Sequence, residues 1–202
     1  MKKILIITGT VLCFSLSVFA QGDTADFKMN VEYGSKNPET KNILQFQNID
    51  YYTTKIFGNN LKEKYFTLTC KEIWHGIIKK IDTLINTKSN SAFGKINNDT
   101  LTFIVVGSRV DDKLKLFFKF PKFGIHRKFD AIVTDDYSLR AIGTSLKIKS
   151  NQDFSAFAYI LPYEQDGNQF YCAVAQNGKD IMNWGKKFDI KHYLVFDINF
   201  HD

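Results

Sequence analysis

Short segments of alternating character recur along this chain, and they constrain its fold more than any other feature. Leu114, Leu116, Phe118 and Phe120 share one side of an extended segment, with Lys115 and Lys119 on the other. Leu194, Phe196, Ile198 and Phe200 repeat the pattern against Asp197 and Asn199. A period of two is strand geometry, because successive side chains point to opposite faces of a sheet. From residue 43 onward the chain is dense in Phe, Tyr, Ile, Val and Thr, residues that fit a pleated, half-buried surface. Gly, Asn and Asp separate the runs at strand-like intervals. The expected architecture is all-β, an antiparallel β-sandwich, with a closed lipocalin-like β-barrel as the alternative.

The spacing predicts strands over 43–47, 51–57, 65–74, 101–108, 114–120, 129–134, 138–143, 146–149, 155–161, 169–175 and 193–200, preceded by one over 27–33. Asp111-Asp112, Asp135-Asp136, Ser150-Asn151 and Asp166-Gly167 fall between them as turn residues. Segment 101–108 is apolar on both faces and is expected between two layers. Asn177-Gly178 is the dipeptide that two-residue hairpins favour, and it would return the chain into a strand over 180–184. Segment 71–86 reads two ways. Ile73, Trp74, Ile77, Ile78, Ile81, Leu84 and Ile85 recur at helical spacing, with Thr69 and Glu72 as a capping box. The favoured reading is a hairpin turning at His75-Gly76, since Gly76 would weaken a helix interior by ~1 kcal/mol.

The first twenty residues have the layout of a secretory leader. A Met1-Lys2-Lys3 head precedes an apolar run, and Val18-Phe19-Ala20 sets up cleavage between Ala20 and Gln21. The run contains Thr8, Gly9, Thr10, Ser15 and Ser17, too short and too polar for a membrane span. The expected location is secreted or periplasmic. The expected division is 1–20 signal peptide, 21–42 N-terminal arm with one strand, and 43–202 a single β domain. Removing Lys2 and Lys3 lowers the net charge from +6 to +4, a mild basic bias that disfavours a nucleic-acid partner. Cleavage also removes Cys13 and leaves Cys70 and Cys172, a candidate disulfide in an oxidising compartment.

Motifs for chemistry are sparse. No His-Glu-x-x-His pair, no Gly-x-Ser-x-Gly elbow and no phosphate-cradling glycine loop occurs, and no cofactor is expected. Asp111-Asp112 and Asp135-Asp136 read as turn caps, and Glu164-x-Asp166-x-Asn168 as a hairpin rather than a Ca²⁺ loop. The most unusual composition spans 119–129. Lys119, Lys122, His126, Arg127 and Lys128 are interleaved there with Phe120, Phe123, Ile125 and Phe129. Pro121 and Gly124 make it a loop on this reading, and its cations beside aromatics form a candidate anion- or glycan-binding patch. The chain therefore reads as a non-catalytic binding protein whose partner is a protein, glycan or small ligand of the envelope or exterior. A hydrolase of envelope polymers and a small outer-membrane barrel are the alternatives.

Overall fold

The structure, a computed structural model, describes residues 26–89, 92–171 and 180–202. Ten strands form two open five-stranded antiparallel sheets, and the expected sandwich is what the chain adopts; neither sheet closes into a barrel. The first sheet has the order β1 (Lys28–Tyr33), β2 (Asp50–Phe57), β5 (Thr100–Val110), β6 (Lys113–Lys119), β7 (Gly124–Asp130). The second has the order β4 (Ile77–Asn86), β3 (Tyr65–Trp74), β12 (His192–His201), β9 (Phe154–Ile160), β8 (Ser138–Ala141). A small hairpin of β10 (Tyr163–Gln165) and β11 (Asn168–Phe170) stands apart, turning at Asp166-Gly167.

The core lies between the two sheets and is largely aromatic. Phe118 of β6 meets Phe196 of β12 at 5.2 Å between ring centroids, Tyr52 of β2 meets Phe157 of β9 at 5.6 Å, and Phe66 of β3 meets Phe120 at 5.0 Å. Tilted and edge-on pairs of this kind add ~0.5–1.5 kcal/mol each beyond the area they bury. The alternation read from residues 114–120 holds: Leu114, Leu116, Phe118 and Phe120 are buried while Lys115 and Lys119 are exposed.

Strand β12 is central in its sheet and buried from both sides. Its outer face, Tyr193, Val195 and Asp197, is covered rather than solvated. Tyr193 donates to the Ile181 carbonyl at 2.8 Å, and Trp184 packs 6.3 Å from its ring. Asp197 is held by Lys71 Nζ at 2.5 Å and by the Ser155 hydroxyl at 2.6 Å. The covering segment is a 3-10 turn (Ile181–Asn183) running into a short helix α2 (Trp184–Lys187), so the strand expected over 180–184 does not form. Its seat depends on two glycines. A Cβ on Gly185 would lie 2.4 Å from the Gly76 nitrogen, and Gly76, at φ +70°, completes the His75-Gly76 turn between β3 and β4. Segment 65–86 is therefore the favoured hairpin, and the short helix near 71–86 is absent.

Four other expectations are corrected. Residues 43–47 are not a strand: 43–46 end helix α1 (Pro38–Phe46) and Gln47 is its C-cap. Asn37 caps it by accepting from the Thr40 N–H, and Pro38 opens its first turn. The helix buries none of its residues, with Phe46 90% exposed, so capping and not packing places it. Strand β5 is central in its sheet but not between layers, because only Leu101, Phe103, Val105 and Gly107 are buried. Residues 124–130, read as loop into strand, are one strand, and 131–137 are irregular. Residues 146–149 contribute only the Ile148–Phe27 bridge, following a 3-10 turn at Gly143–Ser145.

The leader residues 1–20, the cleavage pair Ala20 and Gln21, and the Asn177-Gly178 turn lie outside the described residues. Among the described residues, no helix is long and apolar enough to cross a membrane.

Candidate functional site: a basic and aromatic face on the first sheet

Side-chain parity decides what the outer face of the first sheet presents. In β6 the inward residues are Leu114, Leu116 and Phe118, so Lys115, Phe117 and Lys119 point out. The register then sets Lys115 opposite Lys128 of β7, Phe117 opposite His126, and Lys119 opposite Gly124. On the other side Val106 and Ser108 of β5 lie beside Phe117 and Lys115. The result is a band of outward side chains crossing three strands.

Its centre is a stacked pair. The Phe117 and His126 rings lie 4.1 Å apart and 9° from parallel. Gly124 makes this possible, because a Cβ there would meet the Phe117 ring at 2.6 Å. An aromatic lying over a strand glycine is a known sheet device, and here it holds a flat ring at the surface. Val106, Ser108, Lys115, Phe117, His126 and Lys128 line a shallow depression of about 140 Å³ around the pair.

The charge around this pair is not compensated locally. Like charges directly opposite each other in a sheet are destabilising, and Lys115 faces Lys128 in this way. Neither lysine, nor Lys119 or Lys122, forms an ion pair with any described carboxylate. The carboxylate nearest in register, Asp130, is committed to Lys113 at 2.5 Å, which holds its carboxyl below the usual range.

The structure thus brings together some of the expected patch and separates the rest. Lys119, His126 and Lys128 share the outer face. Lys122 sits exposed in the turn between β6 and β7, beside Phe123. Arg127 has the opposite parity: it donates to the Leu84 carbonyl of β4 at 3.1 Å and ties the edges of the two sheets together. Lys115, Phe117 and Val106 were missed, because a loop over 119–129 hides the register that joins them.

The other flagged residues fall into structural roles. Arg109 bridges the two acidic turns, donating to the Asp111 carbonyl and the Asp135 carboxylate. Asp136 accepts from Thr134. Asn168 donates to the Asp166 carbonyl inside the small hairpin. Among the described residues no three His, Cys, Asp or Glu side chains are placed to hold a metal ion. Cys70 is buried on β3, and burial pushes its thiol well up, the environment of an inert thiol. Its candidate partner Cys172 lies outside the described residues. Comparison of the chain with protein-family models, curated proteins and solved structures returns no match.

Proposed function

We propose that this protein is exported and acts outside the cytoplasm as a non-catalytic binding protein for an acidic glycan, held on the outer face of β5, β6 and β7. The observation that carries the reading is the Lys115–Lys128 cross-strand pair, uncompensated by any described carboxylate and set beside a flat Phe117–His126 stack. Sugar rings present apolar faces that stack on aromatics, and acidic sugars add charge at intervals along a chain. An acidic polymer lying across the strands would meet the rings and then the lysines. The leader composition supports export.

The test is affinity for immobilised polygalacturonate, with neutral dextran as the reference. The expected result is saturable binding to the acidic polymer alone, weakening as salt rises. Lys115→Glu with Lys128→Glu is expected to weaken it at least about tenfold, and Lys115→Arg with Lys128→Arg to retain it. Equal retention on dextran, or full affinity in the double glutamate variant, overturns the reading.

A further inference from the structure

A second polar site lies where α1 runs into β2 and faces β8. A cavity of about 280 Å³ opens there, lined among others by Tyr33, Asn48, Asp50, Ser138, Arg140 and Tyr171. It shares no lining residue with the basic face.

Asp50 is one of the few buried charged residues of the described chain. Its carboxylate accepts from the Leu139 N–H at 2.7 Å and from the Tyr33 hydroxyl at 3.1 Å. Both oxygens are thus occupied by neutral donors, and burial pushes the carboxyl up despite the nearby Arg140 charge. The adjacent Arg140 makes no ion pair with a described carboxylate. Asp135, the other carboxylate lining the cavity, is taken by Arg109. The Arg140 Nε is buried and has no hydrogen-bond partner among the described residues. Its guanidinium lies 4.5 Å from the centre of the Tyr171 ring, and that ring is pinned by its hydroxyl donating to the Asp136 carbonyl.

A guanidinium held in place by a fixed ring and lining the cavity without an ion-pair partner among the described residues keeps donors for another acceptor. Its planar fork matches a two-oxygen anion. The single positive charge, sharing the cavity with the Asp50 carboxyl on which it acts, suits a monoanion better than a dianionic phosphate. Asn48 and Ser138 offer further hydrogen bonds, and Tyr171 a ring face.

We propose that this cavity binds a small carboxylate-bearing ligand, with Arg140 gripping the carboxylate and Asn48 and Ser138 positioned for its hydroxyl groups. This inference does not depend on the glycan reading. The test is calorimetric titration of the full mature chain with acetate, lactate and glucuronate, against glucose and inorganic phosphate. The expected result is saturable binding of at least one carboxylate, and of a hydroxylated one more tightly than acetate. Arg140→Lys keeps the charge but loses the fork and is expected to weaken binding about tenfold or more. Ser138→Ala is expected to weaken lactate or glucuronate about two- to fivefold, leave acetate unchanged, and serve if the arginine variant fails to fold. Lys115→Glu with Lys128→Glu should leave it unchanged, which separates failure here from failure of the glycan reading. The proposal is overturned if no carboxylate binds, if phosphate binds more tightly than every carboxylate, or if Arg140→Lys binds as the parent does.

Discussion

Acid should unfold this protein partly through one histidine. His192 opens β12 and is fully buried. Its ring stacks on Trp74 at 4.0 Å between centroids. Its Nδ1 lies 2.6 Å from the Tyr137 hydroxyl, which already accepts the Ile132 N–H at 3.2 Å. Burial pushes the Tyr137 hydroxyl up to about 12, so it stays protonated, and a single proton, from the hydroxyl or from Nδ1, is shared between the two groups. The other ring nitrogen, Nε2, is buried with no partner among the described residues. Protonating the ring would leave a charge in the core with its Nε2–H unpaired, and burial lowers the His192 pKa to about 4. The folded value lies below the unfolded value of 6.5, so the unfolded chain binds the proton more tightly. The contribution is complete above pH 6.5 and is lost as pH falls toward 4. At 1.36 kcal/mol for each tenfold difference in proton affinity, the loss comes to about 3 kcal/mol. Urea unfolding of the parent and of His192→Gln, measured from pH 7 to pH 4, isolates it. Asp50, Asp130 and the other carboxylates titrate in both proteins and largely cancel. The glutamine amide can accept from or donate to Tyr137, so the variant is expected to fold and to be less stable at pH 7 by about 1–3 kcal/mol. The gap should close as the pH approaches 4. Two stability curves that stay parallel across this range would refute the reasoning.

Two further substitutions test how the second sheet is covered. Gly185→Ala places a methyl 2.5 Å from the Gly76 Cα, backbone against backbone, and is expected to destabilise by about 1–3 kcal/mol in chemical denaturation. Lys71→Ala removes the charge partner of Asp197, which is 2% exposed and keeps only the Ser155 hydroxyl among the described residues, and is expected to cost about 3–5 kcal/mol at pH 7; Lys71→Ala with Asp197→Asn should recover part of that loss.

How much of this fold can be read from the residues depends on what holds each element. Strands that face the core carry a hydrophobic period of two, and 65–74, 114–120 and 193–200 were legible for that reason. Helix α1 carries no such mark. Its apolar residues Ile43, Leu44 and Phe46 mimic a short strand, and only Asn37-Pro38-Glu39 signals its start. The covering segment 181–187 was misread because Ile181 and Trp184 are held by tertiary contact with β12, which local pattern does not encode. Likewise the outer face of β12 looked half polar, yet Asp197 is buried because Lys71 and Ser155 from neighbouring strands compensate it.

The basic face shows the same limit from the other direction. Composition alone marked 119–129 as unusual, but composition does not say which cations share a surface. Parity does, and parity needs the register. Once β7 begins at Gly124 and runs unbroken to Asp130, residues 126 and 128 fall on the side of 115 and 117, and Arg127 is turned toward the second sheet. The glycine that argued for a loop is the residue that lets the Phe117 ring lie flat at the centre of the face. A strand built to be buried would place a β-branched residue there, and one built only for solubility would alternate charge signs across the pair at 115 and 128. This strand does neither, and that is the ground on which anion binding at this face is proposed.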